Sequence, residues 1–189
     1  MLLPGEVVPL HIFEDRYRVM IGECLDGDTE FGIVWLSDDG LKDVGCAARV
    51  RRVIDRMEDG RMNILVEGSR PFRLLRRIEE LPYPAGDVEL LDETDEPGAD
   101  PADARERYAE LVERVTDARP EDGELADLDA YAMAATLDFE LDAKQGLLEL
   151  RSEGQRLERL SELFTATLAG LERAELAAER ARGNGRIAH

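Results

Sequence analysis

The chain has only two lysines, two histidines and two cysteines among 189 residues, and each scarcity removes a class of chemistry. A phosphate-cradling loop of the form G-x-x-x-x-G-K-[ST] needs a lysine directly after a glycine, so that backbone amides and an ammonium converge on the phosphates. Lys42 stands in "DGLKDVG" and Lys144 in "DAKQG", so neither fits. A Ser–Lys dyad would draw on the same two lysines, and neither sits in an apolar stretch that would lower its pKa. For a Ser–His–Asp or Cys–His arrangement the candidates are His11 and the terminal His189. The motif G-x-S-x-G is missing too, because "EGSRP" carries proline where the second glycine belongs. Two histidines and two isolated cysteines do not make a zinc tetrad, and the acidic stretch "DETDEPGADP" lacks the alternating oxygen ligands of a calcium loop. Adjacent carboxylates such as Glu79 and Glu80, read as strand residues, point to opposite faces and cannot share a substrate. No catalytic residue, metal or cofactor is expected.

Long apolar runs are also lacking. Nothing approaches the roughly 20 residues that span a bilayer, and the N-terminus has no basic region followed by an apolar core and a small-residue cleavage site. Cys24 and Cys46 are too few for a disulfide framework and read as reduced, buried thiols of a cytoplasmic protein. Positive charge is short as well. The formal net charge is -19, with 12 basic against 20 acidic residues in 1–94 and 12 against 23 in 95–189. Such a field disfavours nucleic acid and anionic membranes.

What is present is 43% hydrophobic and 35% charged, the composition of a folded chain. The first half reads as short strands with one helix. Met20, Ile21, Cys24 and Leu25 follow Tyr17 at helical spacing, and Asp26-Gly27-Asp28 stops that helix. "EFGIVWL", Glu30 to Leu36, reads as one strand closed by "SDDG". "VGCAARVRRVIDRM" and "RMNILVEG" flank Glu58-Asp59-Gly60-Arg61, where Asp-Gly is expected to supply the positive φ values of a tight hairpin. "PFRLLRRI" and "DVELLDE" read as two further strands. His11, between Leu10 and Ile12, is expected to be structural, its nitrogens bonded to backbone or Glu14.

The second half reads as helices. Residues 92–100 form an acidic linker. Asp100 caps a helix with Pro101 at its first position. A second helix is expected over roughly Leu125–Leu137. A third is opened by Asp142 with Gln145 in capping-box position. The last begins at Ser152, is near 30 residues long, and its part beyond Ala174 is expected to project or fray. Residues 183–189 read as a disordered tail.

"LLPGEVVPLHIFEDRYRVMIGECL" (Leu2 to Leu25), "FGIV", "VGCAARV", "DGRMNILVEGSRPFRLL" and "LPYPAGDVELL" together resemble the N-terminal substrate-binding domain of Lon proteases. "LADLDAYAMAATLDFELDAKQGLLEL" with "RLERLSELF" is similar to the bundle that follows in that family, so the resemblance covers residues 1 to about 172. It implies an α+β protein: a PUA-like β pseudo-barrel with one helix over 1–93, then a helical bundle over 101–182 with a long C-terminal helix. It further implies a stand-alone, non-catalytic relative without the ATPase and protease domains, which engages unfolded or tagged polypeptides, with a protease or chaperone as a further partner. Members usually carry about ten more residues first, a strand of the "LPLFPL" type. Without it a sheet edge stays open, inviting self-association through the N-terminal strand. Residues 2–8 are expected to be that extended strand, with Phe13 and Tyr17 pinning the first helix to the sheet.

Recognition of a polypeptide needs aromatic anchors in partial pockets. Trp35, Tyr83 and Phe139 are the candidates, although each also reads as a core residue. The alternative is RNA binding by a PUA-like domain, using Arg49, Arg51, Arg52 and Arg56 with Arg70, Arg73, Arg76 and Arg77. Those arginines equally read as a solvated face paired with carboxylates.

Overall fold

The computed structural model describes residues 1–95 and 100–184, the side chains of residues 179 and 182–184 excepted. Residues 96–99 of the expected linker and 185–189 of the expected tail lie outside the described residues. The chain packs as two compact units. One takes residues 1–95 and 131–151; the other takes the described parts of 96–130 and 152–189.

In the first unit a five-stranded antiparallel sheet forms from β1 (Val7–Ile12), β2 (Phe31–Ile33), β5 (Val44–Arg56), β6 (Met62–Ile78) and β7 (Ala85–Leu90), while β3 (Leu36–Ser37) and β4 (Gly40–Leu41) make a separate small hairpin. The order is β1-β6-β5-β2, with β7 paired to the C-terminal half of β6. Mixed helix and strand were expected, and the strand pairings leave the barrel open. Met62, Ile64 and Val66 alternate inward from β6, each under 5% exposed, as an antiparallel sheet with one wet face requires. Helix α1 (Asp15–Gly27) buries Ile21 and Cys24 and ends at Asp28, whose φ of 49° is the left-handed cap that short polar side chains tolerate.

Several strand expectations need correction. "EFGIVWL" is not one strand: β2 stops at Ile33, and Leu36 opens the β3–β4 hairpin, because the turn at Ser37–Gly40 pulls its flanks out of the main sheet. "RMNILVEG" and "PFRLLRRI" are a single strand. β6 runs through Pro71, which sits opposite Cys46 beside a bulge in β6 itself, where a missing N–H is tolerated. The β5–β6 loop places a positive φ at Gly60 alone among its residues. Gly60 N–H donates to Met57 O at 3.0 Å and Met57 N–H to Arg61 O at 2.8 Å, a three-residue loop ended by a left-handed glycine.

The N-terminal segment also departs from expectation. The strand starts at Val7, not Leu2. Leu2 and Leu3 are buried side chains of a turn that crosses β6 at Gly68. Gly5 N–H donates to Gly68 O at 2.9 Å and Gly68 N–H to Glu6 O at 3.0 Å. A Cβ on Gly68 would come within 2.1 Å of Leu3 O, so the residue must be glycine. The bond to Glu6 O also sets the strand's alternation. Val8 and Leu10 face β6 with their backbone groups, whereas Val7, Pro9 and His11 turn theirs to the sheet border. Pro9 has no N–H to present there. Phe13 does not pin α1: it is 59% exposed, since it follows the last residue of β1 and falls on the outer face.

Helices α4 (Ala130–Ala135, apart from its first residue) and α5 (Leu141–Glu149) belong to the first unit. α5 starts from Glu140 as N-cap rather than Asp142. Gln145 is buried and used inward instead: its Nε2 donates to Val44 O at 3.2 Å and to Glu149 Oε1 at 2.6 Å. Residues at the start of the expected linker are held here too, because Arg151 donates twice to Asp92 O, at 3.1 and 2.8 Å.

The second unit pairs α2 (Pro101–Thr116) with α6 (Glu153–Asn184), beside the short α3 (Asp122–Ala126). Asp100 accepts from Ala102 N–H at 2.9 Å, the expected cap. The expected helix over 125–137 is two helices broken at 127–129. Leu157, Leu160, Phe164 and Leu168 form the buried stripe of α6, and Tyr108 of α2 meets Phe164 at 5.9 Å between ring centroids. α6 stays helical to Asn184, about 48 Å at 1.5 Å per residue. Arg114 of α2 reaches Glu175 of α6 at 2.6 Å.

Candidate functional site

The three aromatic candidates are all half-buried and stand on separate elements. Trp35 immediately precedes β3. Lys42 N–H, just after β4, donates to Trp35 O at 2.9 Å, and its ammonium lies 5.6 Å from the indole centroid, a cation–π contact. Tyr83 sits in the connection from β6 to β7, and its hydroxyl donates to the Glu23 carboxylate on α1. That bond raises the phenol's pKa, because ionisation would put two negative charges together. Phe139 lies between α4 and α5. Lys42 stands over the Trp35 ring and Glu23 holds the Tyr83 hydroxyl, while both rings stay half-buried. Such an anchor costs little ordering entropy when a partner arrives.

The β3–β4 hairpin carries apolar groups that sequence reading passed over. Leu36 and Leu41 are cross-strand partners and project on one face, 73% and 38% exposed. The turn between them, Ser37-Asp38-Asp39-Gly40, is fixed by a 3.0 Å bond from Ser37 Oγ to Gly40 O. The legible signal was "LSDDGL": a two-residue loop places residues five apart directly opposite each other.

The outer face of the main sheet is built in rows. Val7, Glu67 and Arg49 form one row, and His11, Asn63 and Asp55 another. Arg49 donates to Glu67 Oε2 through Nε at 3.0 Å and Nη2 at 2.8 Å, and Arg51 Nε comes to 3.6 Å of the same oxygen. Arg73 stands opposite Val44 on the β5–β6 pair, and Arg70 lies at the bulge between the Pro71 and Gly68 pairings. Arg76 is committed to Asp87 at 2.7 Å. The hairpin thus gathers arginines on β5 and β6, but part of that charge is spent on Glu67 and Asp87. Residues 44–78 hold nine arginines against four carboxylates, every arginine exposed, in a chain of net charge -19. The segment 23–43 shows the reverse, with seven carboxylates and Lys42 as its one cation.

His11 is structural in manner, although its partner is Asn63 rather than Glu14. Nδ1 lies 2.7 Å from Asn63 Oδ1, the residue opposite it on β6, and its ring stacks on Phe13 at 5.8 Å. Strand pairing brings Asn63 alongside, while Glu14 lies beyond the strand end, where its carboxylate takes Arg16. Glu79 and Glu80 lie past the end of β6, both exposed. Lys144 sits deeper than its sequence suggested. Its ammonium meets Glu6 Oε1 at 2.7 Å, and both side chains are about a tenth exposed. Burial pushes the Cys46 thiol up to about 12 and raises Cys24 as well, which keeps both protonated and unreactive. Among the described residues no group of three His, Cys, Asp or Glu is placed to hold a metal ion, and no helix is long and apolar enough to cross a membrane.

The family model for the ATP-dependent protease La (LON) substrate-binding domain matches residues 1–166. The Lon protease of Paraburkholderia phytofirmans is 28% identical over 203 aligned residues, covering 97% of this chain and 25% of that protein. Lon protease 2 of Herpetosiphon aurantiacus is 26% identical, covering 91% of this chain and 23% of its own length. The chain therefore spans about a quarter of the length of these relatives. Among solved structures, a Lon N-terminal domain protein from Xanthomonas campestris superposes with a TM-score of 0.64 at 23% identity, over 85% of this chain and 90% of that one. The N-terminal domain of a Mycobacterium avium complex Lon protease gives 0.67 at 20% identity, over 87% and 92%. At those identities the likeness is one of fold.

Proposed function

The chain belongs to the family of the LON substrate-binding domain, and from that premise we propose that it is a non-catalytic module that binds segments of unfolded polypeptide. The observation that carries this reading is the family match, which runs from the first residue through both the sheet and the helices. The half-buried rings of Trp35, Tyr83 and Phe139 supply the contact groups. A half-buried ring offers apolar area without demanding a particular sequence, as recognition of many unfolded chains requires. Association with a Lon protease is the partnership that fits the family.

The test is titration of a reduced, carboxymethylated model protein against the folded chain. Binding is expected, and the double variant Tyr83→Ala, Phe139→Ala should weaken it by about tenfold or more, the usual cost of truncating two anchors. Unchanged affinity in that variant removes both rings from the site. ATP hydrolysis or peptide cleavage by the purified chain would end the non-catalytic reading.

A further inference from the structure

Resting on that reading, we infer that the β3–β4 hairpin is an anchor for extended segments that combine apolar with cationic side chains. Leu36 and Leu41 form a paired apolar face on a turn fixed by its own hydrogen bond. A hairpin with two residues per strand gains little from its own pairing, so the outward leucines do not hold it together. Covering them removes apolar area from water, which favours an apolar partner. The electrostatics select what covers them. Asp38 and Asp39 form the turn, Asp43 follows β4, and the segment from Glu23 to Asp43 holds seven carboxylates against Lys42 alone. That one cation is engaged on the Trp35 ring. An incoming glutamate or aspartate is repelled by Asp38 and Asp39 in the turn that joins the two leucine strands, whereas an arginine or lysine beside an apolar residue meets them as counter-charges. The occupant is therefore a stretch of another polypeptide rich in arginine or lysine and leucine-like side chains, and acidic stretches of equal apolarity are refused.

Trp35 is the chain's single tryptophan and adjoins Leu36, so its fluorescence reports on this hairpin directly. Three synthetic peptides of equal length serve as probes: arginine with leucine, glutamate with leucine, and arginine with serine. The arginine–leucine peptide should shift Trp35 emission and bind, and the other two should bind at least about tenfold more weakly. The double variant Leu36→Ser, Leu41→Ser changes two exposed side chains and should keep its circular dichroism while losing about tenfold or more in affinity for that peptide. Asp38→Asn with Asp39→Asn should weaken binding less and flatten its salt dependence. Equal binding of the glutamate–leucine peptide, or unchanged affinity in the leucine variant, overturns the inference. Carboxymethylated protein separates the two readings. If it binds the wild-type chain and the leucine variant equally, the hairpin inference fails and the polypeptide-binding reading stands. If neither chain binds it or any peptide, both fail.

Discussion

Lys144 and Glu6, 138 residues apart, meet in a 2.7 Å ion pair that ties α5 to the N-terminal turn. Glu6 spends its second oxygen on the Leu3 N–H at 2.9 Å, so one carboxylate fixes both the turn and the helix that covers it. Removing the ammonium leaves a buried carboxylate without its counter-charge. Lys144→Met should cost about 3 kcal/mol in denaturant unfolding, and adding Glu6→Gln should recover part of that. A loss below about 1 kcal/mol would mean that water reaches Glu6 in place of the lysine.

Gly68 and Gly22 predict opposite signs for the same substitution. A Cβ at Gly68 meets Leu3 O within 2.1 Å, whereas at Gly22, inside α1, nothing lies within 4 Å. Gly68→Ala should destabilise by about 2 kcal/mol or more through forced displacement of the N-terminal turn. Gly22→Ala should stabilise by about 0.5 kcal/mol, the helix propensity gain. Thermal or urea melts of the two variants decide it; equal effects would show that the turn yields freely.

Cys46 sets a pH dependence. In the unfolded chain its thiol ionises near 9.0, whereas in the folded chain burial holds the proton up to about 12. The folded state therefore keeps a proton that the unfolded state loses. The contribution is complete below pH 9 and drains away as pH rises toward 12. Unfolding midpoints at pH 8 and pH 10.5 should differ less in Cys46→Ala than in the wild type. At pH 8 neither cysteine should react with a thiol reagent until the chain unfolds.

RNA binding should be absent. Arg49 and Arg51 converge on Glu67 and Arg76 on Asp87, which leaves less cationic charge on this face than its arginine count suggests, within a field of net charge -19. Single-stranded RNA should not be retained at about 50 mM salt, where phosphate contacts are strong. Retention that weakens steeply with salt would restore the arginine face as a binding surface.

Much of this fold was legible in the residues. The cap at Asp100 with Pro101, the stop at Asp28 and the alternation of Met62, Ile64 and Val66 are local signals with local causes. What escaped were the long-range arrangements. Gly68 reads as the last residue of the strand "RMNILVEG" until Leu3 is laid across it. Gln145 reads as half of a capping box until Val44 O appears beside it. Lys144 looked solvent-facing because its neighbours in sequence are polar, although its neighbour in space is Glu6. Tyr83 and Phe139 were visible as aromatics in connections, and Trp35 as an aromatic within a strand. Leu36 looked like an ordinary strand residue because "EFGIVWL" reads as one uninterrupted strand, and its partner Leu41 lies beyond the turn that closes it.

The proline in the middle of β1 has a consequence for how this protein behaves in crowded solution. A neighbouring copy that tried to extend the sheet at that margin would find a rung missing at its midpoint, and each further copy would meet the same gap. Fibre growth by repetition is thereby starved of regularity, while a brief visitor needing only one or two rungs loses nothing.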